Sequence, residues 1–592
     1  MQHFDVIVVF AVLAFILISL YKDLLGAAFT FLVAVMVLGF FGVLTPVEIL
    51  AGFANEQIAV IMMLLLLGDA IRQISVIEIF FSRIFPRTSG YKGFLSRIMF
   101  WIGGFSAFLN NTPLVAVMMP YVHNWSKRNN ISPSKLLLPL SYAAILGGCV
   151  TLIGTSTNLI VNGMVIDQNI FPDMKPLQMF DFFWVGFPML IIGFLYLFFF
   201  AEKLLPTRHP LTKGIVGTER KYVVEAVIRK KSKLIGKTIH ESGLGAEKGL
   251  FLAEVVRGKN ILRVFDKDFI LKHGDLLRFA GESEEIANLL SDGSGLTLPS
   301  VGMMSKLKRA DVVEIVISHN SSLISKSVGE VNFRGKYDSV LLAMHRNGER
   351  VTGKLDEVKL KAGDVILLLA GDAFMSRSQD DIDFYLISKV KEVRKPERYK
   401  VWTLFGGTLL AIFLSALNLI PLFMGLLVVL VVINILKVVN AKDLPKNIDY
   451  NLAVIIALSL ALGTAMMKTG VADMISGVMI SIFLPLGSVA VLAAIYFITT
   501  VLAAYITNKA AVAIVFPISL TAAHTLGLPP LPFALVVSFA AAANFLTPIG
   551  YQTNLMVYGP GGYNFKDFFR IGWPLTLIYM VVTVAILDYM FF

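Results

Sequence analysis

The stretch Thr151-Leu152-Ile153-Gly154-Thr155-Ser156-Thr157-Asn158-Leu159-Ile160-Val161-Asn162-Gly163 returns 396 residues later as Thr547-Pro548-Ile549-Gly550-Tyr551-Gln552-Thr553-Asn554-Leu555-Met556-Val557-Tyr558-Gly559. Both copies read T-x-I-G-x-x-T-N-L-x-V-x-G. A second pair precedes them: Asn111-Thr112-Pro113-Leu114-Val115-Ala116 with Pro120 matches Asn508-Lys509-Ala510-Ala511-Val512-Ala513 with Pro517, 397 residues apart. A weaker third, Leu67-Gly68-Asp69-Ala70 against Leu462-Gly463-Thr464-Ala465, is offset by 395. Three ordered elements at one spacing mean that the chain has two homologous halves, and any fold must honour that duplication.

Hydrophobic residues make up 56% of the 592 and charged ones only 16%. A soluble globule carries about 25% charge, and many apolar runs here reach the ~20 helical residues that span a bilayer. The net charge of +11 does not point to nucleic acid, because 34 of the 52 Lys and Arg lie between Lys203 and Arg398, mixed with acids. Charge beside membrane segments sets topology. The single cysteine, Cys149, reads as a packed thiol. Met1-Gln2-His3-Phe4-Asp5 has no basic region and no small-residue cleavage site follows, so the first apolar stretch reads as a retained span.

In the first half, Val6–Leu20, Leu25–Val43 and Ile58–Ile71 read as spans, followed by a basic connector with Arg83, Arg87, Lys92 and Arg97. The segment Ile98–His123 holds Gly103, Gly104, Asn110, Asn111 and Pro113 at its middle, which fits a re-entrant hairpin better than a straight helix. Leu136–Val150 then enters the membrane, breaks over Thr151–Thr157 and resumes to Val165; Phe183–Phe200 spans. The second half repeats this as Leu404–Leu419, Leu422–Val438, Leu452–Met467, a hairpin with its tip near Asn508, the broken helix Leu531–Gly559, and Trp573–Leu587. Its connectors invert the charge pattern: Lys437, Lys442 and Lys446 follow its second span, Ile518–Pro532 has no Lys or Arg, and Lys566 and Arg570 follow its broken helix. Excess Lys and Arg marks the cytoplasmic side. Five spans and one hairpin per half is an odd crossing number, as an inverted repeat requires. Asp69 and Arg72 read as a paired helix end, and Trp101, Trp184 and Trp573 as interfacial anchors.

Between the halves the composition becomes that of a soluble domain, itself duplicated at an offset of 89 residues. Val223–Ile228, Leu234–Lys237 and Gly274-Asp275-Leu276 match Val312–Ile317, Leu323–Lys326 and Gly363-Asp364-Val365. Short β-branched runs with Gly-Asp punctuation read as strands and turns. Basic flanks place the pair in the cytoplasm. Ser242-Gly243-Leu244-Gly245 lacks the spacing of a dinucleotide fingerprint, so no organic cofactor is expected. The fold expected is a mostly α-helical polytopic membrane protein, an inverted repeat with inserted cytoplasmic tandem α/β domains. Its divisions are 1–205 and 396–592 for the membrane repeats, and 206–300 and 301–395 for the two inserted units.

An interrupted helix exposes N–H groups at one fragment's start and carbonyls at the other's end; the first suit an anion and the second Na⁺. Asn and Thr add neutral ligands without a buried charge, and Gly154 and Gly550 let the backbone approach an ion. Helix kinks capped by Asn and Thr would be the plain alternative, but capping alone does not explain two symmetric pairs.

The tip Leu109-Asn110-Asn111-Thr112-Pro113, the tip Ile506-Thr507-Asn508-Lys509 and the two T-x-I-G-x-x-T-N loops resemble the divalent anion/sodium symporter family across both membrane halves. The resemblance implies a homodimer with a static scaffold and a moving transport part, in an elevator-like cycle. It implies substrate contacts at Asn110, Asn111, Thr112, Thr507, Asn508 and Lys509, with Thr157 and Thr553 nearby. It also implies Na⁺ sites near Asn111, Thr151, Gly154 and Asn158 and near Asn508, Thr547, Gly550 and Asn554. The family signature is Ser-Asn-Thr, so Asn110 and Thr507 replace Ser, and Lys509 replaces Thr. Lys509 either snorkels outward or places a cation beside the anion. The insert resembles the paired C-terminal domains of Trk potassium-uptake regulators, which moves the expected anion from dicarboxylate toward sulfate and admits a cytoplasmic regulatory ligand. The function expected is Na⁺-coupled import of a small divalent anion across the plasma membrane, the inner membrane if the source is bacterial, with lipid and a second copy as partners. Succinate, malate or citrate is the nearest rival. An ion channel or potassium-uptake subunit, which the insert suggests, is disfavoured by the lack of a T-V-G-Y-G-type filter string, and an enzyme by the lack of a nucleophile-base motif.

Overall fold

The computed structural model describes residues 2–73, 90–207, 398–438 and 450–592, apart from Asp23, Asn130, Asn418 and Lys437, together with parts of the segment 222–386. The first half runs α1 (Gln2–Tyr21), α2 (Ala27–Phe40), α3 (Pro46–Ala51), α4 (Glu56–Gln73), α5 (Tyr91–Ser106), α6 (Asn111–Arg128), α7 (Leu137–Gly148), α8 (Ser156–Asp167) and α9 (Phe183–Leu204). The second half runs α10 (Gly407–Ala416), α11 (Leu422–Ile435), α12 (Tyr450–Lys468), α13 (Val471–Phe483), α14 (Ser488–Tyr505), α15 (Asn508–Leu526), α16 (Pro530–Ala542), α17 (Gln552–Tyr558) and α18 (Phe565–Phe591). Among the described residues, five helices are long and apolar enough to cross a membrane, or seven if each bent pair is one span.

Several boundaries differ from the sequence reading. The first hairpin's leading arm starts at Tyr91, not Ile98, so Lys92 and Arg97 lie on its first turns. Helix α7 ends at Gly148 and α8 starts at Ser156, so the first break covers 149–155 rather than Thr151–Thr157. A helix absent from that reading, α13, follows α12 at a 72° bend. The first-half residues at the corresponding positions, Arg83 and Arg87 among them, lie outside the described residues, as do Lys437, Lys442, Lys446 and the side chains of Asp69 and Arg72.

Two five-stranded sheets lie between the halves. The first is ordered β3-β2-β4-β1-β5, from β1 (Tyr222–Ile228), β2 (Leu250–Arg257), β3 (Asn260–Arg263), β4 (Leu276–Gly281) and β5 (Leu296–Thr297). The second is ordered β10-β6-β9-β7-β8, from β6 (Asp311–Ile317), β7 (Ser339–Arg346), β8 (Glu349–Arg350), β9 (Val365–Ala370) and β10 (Phe384–Leu386). The 89-residue offset survives in detail. Tyr222 pairs with Gly281 as Asp311 pairs with Ala370. The bulge at Leu252/Glu254 recurs at Leu341/Ala343. Arg257 grips Asp275 through two bonds of 2.7 Å, as Arg346 grips Asp364. Asp383 is the hub of the second unit. It accepts from Lys336 Nζ and Tyr337 Oη at 2.6 Å and from the Ser322 amide at 2.6 Å.

Alternation along β6 gives the second sheet two buried faces. Val313, Ile315 and Ile317 pack with Phe333, Tyr337 and Phe374 in the unit's own core. Val316 and its register partner Val365 join the apolar core of the membrane part. There the Gly363 turn (φ 82°) reaches the end of α17: a Cβ on Gly363 would lie 3.3 Å from Leu555, and one on Gly559 would lie 2.8 Å from the Gly363 carbonyl.

Candidate functional site: two broken helices and two hairpin tips

Each break is closed by the same bonds. Thr151 Oγ1 donates to the Ala107 carbonyl, and Thr547 Oγ1 to that of Ala504 at 2.8 Å. Asn158 Nδ2 donates back to Thr151 O at 2.9 Å and Gly148 O at 3.5 Å, while Asn554 Nδ2 donates to Thr547 O at 3.2 Å and Asn544 O at 3.1 Å. The chain re-enters helix through an extended residue in both cases, Thr155 (φ −140°) and Tyr551 (φ −142°), and neither side chain caps the first turn. The first-turn N–H groups of α8 and α17 are therefore not served by their own caps. Gly154 and Gly550 are required by close approach: a Cβ on Gly154 would lie 2.5 Å from Gly148 O, and one on Gly550 2.2 Å from Asn544 Nδ2.

The halves lock each other. Ser538 Oγ donates to Asn158 Oδ1 at 2.9 Å, and Ser141 Oγ lies 2.7 Å from Asn554 Oδ1 and 2.8 Å from Thr553 Oγ1. The first piece of each broken helix thus holds the motif Asn of the other. Helix α6 packs against α17, and α15 against α8, so each tip helix meets the second piece of the opposite broken helix.

At the first tip, the buried Asn111 amide is satisfied with its nitrogen toward Ser106 Oγ, Ala144 O (3.2 Å) and Gly154 O (3.3 Å), and its oxygen accepting from Tyr551 Oη at 2.7 Å. Tyr551 Oη also lies 3.1 Å from Thr155 Oγ1. Thr112 Oγ1 donates to Gln552 Oε1 at 2.9 Å. The N-termini of α6, α8 and α17 therefore meet at Asn111, Thr155 and Tyr551. At the second tip, Thr507 caps α15 through the Ala510 amide at 3.2 Å. Asn508 is buried, and its Oδ1 has no hydrogen-bond partner among the described residues. Lys509 is half-buried.

Within each break the motif Asn reaches the motif Thr, Asn158 to Thr151 and Asn554 to Thr547, and Thr157 and Thr553 are buried. Asn110 stands apart: its oxygen accepts from the Thr112 amide at 3.4 Å, and it lines a shallow cleft with Leu64, Gly68, Ile153 and Ser156. Sequence reasoning missed Ser106, Ser141, Ser538, Asn544, Tyr551 and Gln552. Tyr551 and Gln552 occupy the variable positions of the repeated motif, where matching two copies carries no signal. Among the described residues, no group of three His, Cys, Asp or Glu side chains could hold a metal ion. Oxygen ligands here come from amides, hydroxyls and carbonyls.

Half-helices that meet end to end inside an apolar multi-pass frame define a membrane transporter. The model of the family described as citrate transporter (CitMHS) matches residues 12–502 and 486–592, and the chain belongs to that family. It is 33% identical, over 92% of its length and 95% of the relative's, to a Chlamydomonas reinhardtii protein whose name refers to regulation of the sulfur-deprivation response. An uncharacterized transporter of Synechocystis is 31% identical over 97% of this chain and 95% of its own. Sodium/sulfate cotransporter 2 of Chlamydomonas reinhardtii is 24% identical over 99% of this chain and 89% of its own. The protein is a multi-pass membrane transporter and not an enzyme.

Proposed function

We propose that this protein imports a small divalent oxyanion, sulfate, driven by the Na⁺ gradient. The observation that carries the reading is the meeting of the α6, α8 and α17 N-termini at Asn111, Thr155 and Tyr551. Partial positive charge converges there from three helix starts, two of which have no side-chain cap, without a buried cation, which suits a dianion that must be released again. Carbonyls at the ends of α7 and α16 suit Na⁺, near Asn111, Thr151, Gly154 and Asn158 in one half and near Asn508, Thr547, Gly550 and Asn554 in the other. The proposed substrate contacts are Asn110, Asn111, Thr112, Thr507, Asn508, Lys509, Thr157 and Thr553. The names of the sodium/sulfate cotransporter and of the sulfur-deprivation relative favour sulfate.

The two halves act as an inverted repeat, with a transport part moving against a scaffold in each subunit of a homodimer. The paired bonds at the two breaks and the inverted charge pattern support this arrangement. The sheets belong to a cytoplasmic insert of two Trk-like units, 206–300 and 301–395, between membrane repeats 1–205 and 396–592 in a plasma or bacterial inner membrane. Lys135 supports the side assignment, since its ammonium donates to the Leu205 carbonyl at 2.6 Å where the chain leaves for the insert. The family description favours a second reading, citrate or a C4-dicarboxylate on the same site. Uptake of labelled sulfate, citrate and succinate into proteoliposomes, with and without an inward Na⁺ gradient, tests both. Sulfate uptake that collapses with the gradient is expected; uptake of citrate alone would replace the substrate, and gradient-independent uptake would remove the coupling.

A further inference from the structure

The two breaks share their backbone bonds but not their side-chain chemistry. Position 148 in the first half corresponds to 544 in the second, since Asn158 reaches back to Gly148 O as Asn554 reaches back to Asn544 O. A Cβ on Gly148 would lie 2.8 Å from both amide atoms of Asn111, so that amide sits over a glycine and fills the space. In the second half this space belongs to the Asn544 side chain, which lies directly against Gly550. The tips differ too. Asn111 has Ser106 and Tyr551 as partners; the residues at the corresponding positions are Ala503 for Ser106 and Thr155 for Tyr551.

The outcome is a contrast in satisfaction. Both polar ends of the Asn111 amide are served by the protein itself. Asn544 is 0% exposed, and neither its Oδ1 nor its Nδ2 has a hydrogen-bond partner among the described residues; nor does Asn508 Oδ1 at 9% exposure. A buried amide left unmade costs about 1–3 kcal/mol, and native proteins rarely leave such groups together without a ligand. Asn508 opens α15 and Asn544 follows the end of α16, two helices joined by a three-residue turn and packed along each other, which brings both amides to one end of the pair. Amide oxygens there, beside helix-end carbonyls that keep a second lone pair, make a donor set for a hard monovalent cation.

We infer that the second half holds the tighter Na⁺ site, with Asn508 and Asn544 as its side-chain ligands, and that the first half's counterpart has lost its Asn ligand to Tyr551 and Ser106. The inference rests on Na⁺ being the coupling ion. It breaks the symmetry that the duplicated motif leads one to expect: both halves offer carbonyls, but among the described residues at the two breaks and tips the unspent side-chain oxygens are those of the second half. The Asn544 Nδ2 group, which a cation cannot serve, is left as a donor of the kind an oxyanion accepts. One side chain would then touch both ion and anion, and by linkage each would raise the other's affinity.

The test is Na⁺ binding to the purified full-length protein, titrating sodium gluconate against a choline background by calorimetry, first without and then with sulfate. Wild type should bind Na⁺, and Asn544→Gly, which restores the first half's residue, should weaken it by about tenfold or more. Asn544→Asp keeps a ligand oxygen and removes the N–H donor. It should bind Na⁺ at least as tightly as wild type while losing the enhancement by sulfate, a split that a folding defect would not produce. Asn544→Gly with wild-type Na⁺ affinity would overturn the site and leave the transport reading standing. A wild-type protein that binds no Na⁺ but takes up sulfate would remove Na⁺ coupling itself, and the site with it.

Discussion

The Asn111 side-chain oxygen accepts a hydrogen bond from the Tyr551 hydroxyl at 2.7 Å, tying the first hairpin tip to the last break across 440 residues of chain. Tyr551→Phe removes that donor and leaves a buried acceptor unserved, at a cost of about 1–3 kcal/mol. The variant should melt at a lower temperature and transport more slowly, because two elements that must move together lose their link. Thermal unfolding in detergent and initial uptake rates check both; wild-type values in each would show that the contact is incidental.

Asn111→Ala and Asn508→Ala should each abolish coupled uptake in a protein that still inserts and elutes as a single folded species. Asn111 organises three helix N-termini, whereas the Asn508 oxygen has no hydrogen-bond partner among the described residues. Near-wild-type uptake by either variant at low Na⁺ and low substrate would show that the tips are not the site.

Lys509 follows the second tip directly, where the first half has Thr112. If its ammonium faces the anion, it acts in a partly dehydrated space where Coulomb interactions are several-fold stronger than in water. Lys509→Thr should then weaken sulfate binding and raise the Hill coefficient for Na⁺. Titrations of sulfate against Na⁺ that superimpose for mutant and wild type would assign Lys509 to the outer surface instead.

Deletion of residues 214–394, bridged by a flexible linker, should leave measurable uptake with an altered rate, because every motif residue lies outside that segment. A correctly inserted deletion protein with neither binding nor uptake would give the insert a structural role in the site.

Burial opposes ionisation of Asp383, but donors from Lys336, Tyr337 and the Ser322 amide outweigh it and hold the carboxyl down at about 2. An unfolded aspartate titrates near about 3.9, so the stabilisation is fully present above that pH and is lost as pH falls toward about 2. Hydrogen exchange across 311–386 should speed up through this window in wild type. In Asp383→Asn it should be faster already at neutral pH and flatter below it.

Much of this arrangement is readable from the chain because duplication marks it. Thr151 and Asn158, and their partners 396 residues on, stand at the breaks in both halves, since each Asn amide donates to the Thr carbonyl seven residues before it, within the motif. The contacts between halves are a different matter. Ser141 and Ser538 sit in apolar helices, and their partners lie 413 and 380 residues away, a distance no local pattern encodes. Tyr551, Gln552 and Asn544 escaped for the opposite reason. They are the positions at which the repeat disagrees with itself, and a search for identity passes over them. The first-half helix boundaries shifted because Gly147-Gly148 ends α7 before the motif's own threonine is reached.

The seat of the Gly363 turn against Leu555 and Gly559 has a practical corollary. Helix α17 is seated on the second sheet at this turn and at Val365, so whatever shifts that helix either drags the sheet with it or parts the seam. A fluorophore pair on the exposed side chains of Lys361 and Lys566, flanking the seam without entering it, would then report the movement of that helix from outside the buried site.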